Sequence, residues 1–107
     1  MSDTIVKSFP TVITGEGVTR KVVADSPELM VVEFHFDTGG VGALHNHPHV
    51  QSTYVQSGTF EFTVGDEKTV VRAGDSFVIP SNVVHGCRAL EGGTLVDCFT
   101  PRRDDFL

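Results

Sequence analysis

Apolar residues recur at every second position along most of the chain. Met30, Val32, Phe34 and Phe36 fall on one face of an extended segment, and Val31, Glu33 and His35 on the other. Phe60, Phe62 and Val64 alternate with Glu61 and Thr63 in the same way. This period of two predicts β-strands, and shorter runs of the same kind cover 20–24, 50–56, 68–72, 76–79, 84–89 and 94–100. Turn residues separate the runs: Gly15-Glu16-Gly17, Gly39-Gly40, Ser57-Gly58, Gly65-Asp66, Gly74-Asp75 and Glu91-Gly92-Gly93. No stretch carries the 3.6-residue period of an amphipathic helix. Many short strands joined by tight turns predict an all-β antiparallel sandwich or barrel, of a size that suits a small jelly roll. The last residues, 101–107, leave the strand pattern and are expected to wrap the surface.

The length of 107 residues suits one domain spanning 1–107. At 39% apolar and 21% charged residues, the composition is that of a globular chain with a real core. The formal net charge of −6 argues against nucleic-acid or anionic-membrane binding, since both need a positive footprint. No apolar run is long enough to span a bilayer. Met1-Ser2-Asp3-Thr4 has no basic region followed by an apolar run, so no export signal is expected. Two cysteines, Cys87 and Cys98, are too few for a disulfide framework, and a cytoplasmic location with reduced thiols is expected.

Chemistry concentrates around the histidines. His45, His47 and His49 alternate, and Gln51 continues the spacing. On one strand, His45 and His47 share a face and can point at one metal ion. Pro48 is expected to end that strand, which leaves His49 on a rim. His85 lies in a separate strand-like run. An H-x-H pair alone is a weak signal, equally at home on the surface of a plain sandwich. Imidazoles suit several divalent transition metals, with Ni, Zn, Fe, Mn and Co all compatible. Three imidazoles and a neutral amide oxygen would leave such an ion its full charge.

Two spaced patterns make the signal specific. Gly39, His45, His47, Gln51 and Gly58 match the first cupin motif, G-x5-H-x-H-x3,4-E-x6-G, in every spacing, with Gln in place of Glu. Gly74, Pro80 and His85 match the second, G-x5-P-x-G-x2-H-x3-N, with Asn82 for Gly and Ala89 for Asn. Asn tolerates the positive φ that the Gly position requires. Across 39–58 and 74–89 the chain therefore resembles the cupin superfamily. That resemblance implies a double-stranded β-helix barrel, a divalent metal held by His45, His47, Gln51 and His85, and a homodimer.

In the final strand Leu95, Asp97 and Phe99 share one face by alternation, with Val96 and Cys98 on the other. Asp97 either enters the barrel with Phe99, where a carboxylate must be paired or functional, or meets solvent or an arginine. The ending Asp97-x-Phe99-x-Pro101-x-Arg103-Asp104-Asp105-Phe106-Leu107, together with His45-x-His47-Pro48-His49-x-Gln51, is similar to the KdgF family of uronate-linearising cupins. The resemblance covers nearly the whole chain. It implies metal-dependent ring opening of 4,5-unsaturated uronate monosaccharides from pectin or alginate to the linear keto sugar. It puts the acid or base on Asp97, an aromatic contact on Phe99 and the carboxylate-handling arginine on Arg103. Arg102 is expected to meet Asp104, Asp105 or solvent. Cys87 shares a face with His85 and either lines the pocket or fills the core. His35 is expected to be exposed or at an interface. Two further classes fit three histidines: a metal-dependent dioxygenase of small organic acids, and a non-catalytic sugar-binding cupin.

Overall fold

A computed structural model describes residues 6–107; the reading of Met1–Thr4 as lacking an export signal lies outside the described residues. Ten strands follow one another: β1 (Thr11–Gly15), β2 (Val18–Asp25), β3 (Met30–Phe36), β4 (Val41–His45), β5 (Val50–Val55), β6 (Thr59–Val64), β7 (Glu67–Arg72), β8 (Ser76–Ile79), β9 (His85–Glu91) and β10 (Gly93–Thr100). They form a six-stranded sheet, β1-β2-β3-β10-β5-β8, and a four-stranded sheet, β4-β9-β6-β7. Every pairing is antiparallel. The fold is the jelly-roll arrangement expected from the period-two pattern. Among the described residues no helix is long and apolar enough to cross a membrane.

The core lies between the sheets. Phe36, Val55, Phe60, Phe62, Ile79 and Leu95 form its larger part, and Val22, Met30, Val32 and Phe99 a second cluster. Each residue sits on the inward face that its strand's alternation predicts. In β3 the predicted face is buried at Met30, Val32 and Phe36, and His35 is exposed.

Two strands carry no alternation. Every residue of β1 is exposed, so nothing selects a face. β4 reads Val41-Gly42-Ala43-Leu44-His45, and it lines a cavity with small residues instead of filling a core with large ones. The H-x-H segment also differs from its expected form. The strand ends at His45, and His47 lies in the connection that follows, so the two histidines do not converge through strand alternation.

Local backbone devices fix that connection. Asn82 has φ 63°, the left-handed conformation expected at the position where the cupin motif has Gly. Its N–H donates to His47 C=O at 2.8 Å, and Ser81 Oγ donates to Pro48 C=O at 2.6 Å. The turn before β9 therefore clamps the loop after β4. Gly86 lets β4 approach β9 closely: a Cβ there would stand 2.6 Å from Gly42 C=O.

Candidate metal centre

His45 and His85 stand directly opposite each other across the β4–β9 pair. Their ring centroids lie 4.3 Å apart, and His47 sits 5.5 Å from His45 and 4.9 Å from His85. One ring nitrogen from each lies within 4.8 Å of the others. Gln51 enters from β5 in the other sheet, and its Oε1 lies 3.0 Å from His47 Nε2. The centre thus bridges both sheets, with one ligand candidate each from β4, the following loop, β5 and β9.

Backbone carbonyls set the tautomers. His45 Nδ1 lies 2.8 Å from Ala43 C=O, His47 Nδ1 3.1 Å from His49 C=O, and His85 Nδ1 2.8 Å from Val83 C=O. A carbonyl only accepts, so each Nδ1 carries the hydrogen and each Nε2 keeps its lone pair. This leaves two unsatisfied features. His85 Nε2 is buried without a hydrogen-bond partner. His47 Nε2 faces Gln51 Oε1 at 3.0 Å, lone pair toward lone pair. Both are resolved by a cation at the point where these atoms converge, so the donor set fits a divalent metal. Burial pushes the imidazolium form of His85 down to about 4 and also lowers His47, so both stay neutral ligands near pH 7.

A relay of hydrogen bonds fixes the Gln51 amide. Its Nε2 donates to Thr53 Oγ1 at 3.0 Å, and Thr53 Oγ1 donates to Asp97 Oδ1 at 2.7 Å. The register explains this: Asp97 pairs with Thr53 and Phe99 with Gln51 across β10–β5. Of the two orientations left open by alternation, Asp97 takes the inward one. It is only 5% exposed, and burial pushes its carboxyl up to about 7 against the opposing effect of the Thr53 bond.

Beside the centre lies a cavity of about 350 Å³. Phe34 and Phe62 are part of its apolar wall, and Gln51, Asp97 and Arg103 stand among its polar lining. Phe99 both lines the cavity and packs in the core at 1% exposure, with its ring 5.6 Å from His47. Cys87 lines the cavity as well, and burial pushes its thiol up to about 12, so it presents a neutral thiol and no anionic ligand. Cys87 and Cys98 are both free. His49 is half-buried and does not line the cavity; its Nε2 lies 3.1 Å from Arg102 C=O.

The tail corrects two expectations. It does not simply wrap the surface: Phe106 packs edge-on against Phe34 and Phe99, and Arg103 reaches the cavity. Arg102 does not meet Asp104 or Asp105. It clasps Asp25 through Nε and Nη2 at 3.0 and 2.7 Å, and Asp105 is taken by Arg103 instead. Strand-like alternation correctly separates the two arginines, but their partners depend on how the chain turns after Arg103. Thr53, Asp105 and Phe106 escape the sequence reading as site residues. Thr53 was accessible through alternation with Gln51; the other two needed the path of the tail.

Comparison with known proteins agrees with this geometry. A family model described as a cupin domain matches residues 32–96. The pectin degradation protein KdgF of Dickeya dadantii is 41% identical over 95 residues, which cover 87% of this chain and 86% of that one. The structure of KdgF from a Halomonas species matches with a TM-score of 0.88 at 41% identity, covering 94% of this chain and 98% of that one. An RmlC-like cupin from Shewanella frigidimarina also gives a TM-score of 0.88, at 39% identity, covering 92% of this chain and 89% of the other. Shared fold, near-full-length matches and a three-histidine centre at the cupin motifs lead to one assignment: the chain belongs to the KdgF family of cupins.

Proposed function

We propose that the protein opens the ring of 4,5-unsaturated uronate monosaccharides, released by pectin or alginate breakdown, to give the linear keto sugar acid. The observation that carries this reading is the meeting of a three-histidine centre, a buried carboxylate and a guanidinium beside one sugar-sized cavity. The likeness to a pectin degradation protein supports the same substrate class.

The substrate is a cyclic hemiacetal whose ring oxygen also belongs to an enol ether. Ring opening removes the proton of the anomeric hydroxyl, breaks the C1–O bond and leaves an enolate next to the carboxylate. Asp97 takes the hydroxyl proton; general-base help of this kind is worth about 10²–10⁴-fold. Its raised proton affinity matches that task better than an ordinary surface carboxylate. Arg103 binds the substrate carboxylate, a planar pairing that lysine cannot copy. Phe99 supports the ring and the guanidinium, whose carbon lies 5.1 Å from the Phe99 ring centre. His45, His47, Gln51 and His85 would hold a divalent cation, which would supply positive charge near the developing oxyanion. Protonation at C4 then completes an isomerisation that consumes no oxidant and no water.

The test is loss of the C4=C5 absorbance of a lyase-generated unsaturated uronate, measured without oxygen. Turnover that stops on chelation and returns on adding a divalent metal is expected. No turnover without oxygen, or turnover that appears only when oxygen is supplied and consumed in a parallel aerobic assay, overturns the proposal.

A further inference from the structure

The tail is anchored before it reaches the cavity. Arg102 clasps Asp25, its N–H donates to Pro27 C=O at 3.2 Å, and His49 holds its carbonyl. Arg103 is extended, with φ −82° and ψ 93°, and a 3₁₀ turn at Asp104–Phe106 follows. The Phe106 N–H donates back to Arg103 C=O at 3.0 Å. This turn folds Asp105 and Phe106 onto the Arg103 side chain. Arg103 Nε and Nη2 donate to the two Asp105 oxygens at 3.0 and 2.9 Å. The guanidinium carbon lies 4.2 Å from the Phe106 ring centre.

The two partners differ sharply in exposure. The Arg103 side chain is 11% exposed and that of Asp105 is 61% exposed, so the carboxylate sits on the solvent side of the pair. A guanidinium has five N–H donors in one plane. Asp105 occupies the Nε–Nη2 edge, and among the described residues Arg103 has no other side-chain hydrogen-bond partner. The Nη1–Nη2 edge is left for a second planar anion, and Arg103 lines the cavity.

We propose that Asp105 is a positioning residue for substrate recognition: it holds Arg103 by its outer edge so that the free edge receives the substrate carboxylate. This rests on the reading of Arg103 as the carboxylate-binding group. In this proposal Asp105 is a support and not a rival, because it takes one edge of the guanidinium and leaves the other without a side-chain partner. The stacked Phe106 ring limits sideways motion of the guanidinium, and Asp105 fixes its rotation about the side-chain axis.

The experiment compares metal-loaded wild type with Asp105→Asn and Asp105→Glu. Calorimetry reads binding of a saturated uronate that cannot react and of the neutral sugar matching it; turnover of the unsaturated uronate is read in parallel. Asp105→Asn is expected to weaken saturated-uronate binding and raise KM by about tenfold, the scale of one charge-assisted hydrogen bond. Its kcat should stay within about twofold, its neutral-sugar binding should not change, and Asp105→Glu should recover part of the loss. Unchanged or tighter uronate binding in Asp105→Asn overturns the proposal, and tighter binding would make Asp105 a competitor. Equal weakening toward both sugars also overturns it, because the defect would then be structural. If wild type binds the saturated uronate in this Asp105-dependent way yet never opens the unsaturated one, the ring-opening proposal fails and the role of Asp105 stands.

Discussion

Thr53 Oγ1 donates to Asp97 Oδ1 at 2.7 Å, across the register that pairs these two residues on β5 and β10. The same hydroxyl oxygen accepts from Gln51 Nε2, so one threonine connects the candidate base to a candidate metal ligand. Because Thr53 gives its only hydrogen to a carboxylate, it can offer Gln51 nothing but a lone pair. The amide must then turn its NH₂ toward Thr53 and its oxygen toward His47.

Thr53→Val tests this linkage. Valine keeps the shape of a side chain that is 0% exposed but removes both hydrogen bonds. The unsatisfied Gln51 amide and Asp97 carboxylate should lower stability by about 1–3 kcal/mol. Metal affinity and kcat/KM should each fall by about 10–100-fold, as when a partner of a metal ligand is lost. Equilibrium dialysis with a metal indicator and steady-state kinetics read both. Unaltered metal affinity would show that Gln51 needs no orienting partner.

Asp97→Asn should remove most activity, about 10²–10⁴-fold, while fold and metal content persist. In the metal-free protein the Asp97 carboxyl is pushed up to about 7 by burial. A base works only when ionised, so activity should rise with pH through the ionisation of Asp97. A bound cation pulls that ionisation to lower pH. The stability effect has the opposite sense. A folded-state value raised from 3.8 to about 7 contributes stability present below pH 3.8 and lost as pH rises through 7. Metal-free Asp97→Asn should therefore gain on metal-free wild type between pH 4 and 7 in denaturant melts. Near-wild-type activity in the variant would remove Asp97 from the mechanism.

His85 titrates with the reverse sign. Its folded-state value is lowered from 6.5 to about 4, so its contribution is present above pH 6.5 and lost as pH falls through 4. The shift corresponds to about 3 kcal/mol. The unfolding free energy of metal-free wild type relative to His85→Gln should drop by about that amount across this range. Nuclear magnetic resonance should find the His85 ring neutral at pH 5, with Nδ1 protonated. His45→Ala combined with His85→Ala should abolish metal content, and full stoichiometric metal in that double variant would refute the ligand assignment.

Legibility in the sequence followed what each strand packs against. β3 buries Met30, Val32 and Phe36 on one face with Phe34 half-buried among them, so that face can be read directly from the chain; the buried face of β10 mixes Leu95 and Phe99 with Gly93 and Asp97, and there alternation alone leaves the orientation of Asp97 open. β4 faces a cavity and β1 buries nothing, and a pattern of burial cannot announce either strand. Motif spacing singled out the three histidines that meet in space, although the geometric reason offered for His45 and His47 failed once the strand proved to end at His45. Their meeting depends on the Asn82 and Ser81 clamps, contacts between segments over thirty positions apart. The family resemblance singled out Arg103, and its side chain lines the cavity. The pairing of Arg103 with Asp105 was not legible, because an i, i+2 ion pair here requires the 3₁₀ turn that follows it.

The two neighbouring arginines give the last prediction. Arg103 lies over Phe99 and Phe106 beside the cavity, whereas Arg102 faces away and pins the tail to Asp25. Lysine retains charge but loses the planar fork. Arg103→Lys should therefore raise KM for the uronate by about tenfold or more, through loss of paired hydrogen bonds to the carboxylate. Arg102→Lys should act at a distance. Lysine can keep one contact to Asp25, so the tail stays near its place and KM should rise less. Its signature should be faster amide exchange around Arg102, because the bidentate clasp to Asp25 is one of the contacts that anchor the tail to the end of β2. Exchange measured by mass spectrometry separates the two effects. If Arg102→Lys harms substrate binding more than Arg103→Lys, the carboxylate site belongs to Arg102, and the tail must rearrange when substrate binds.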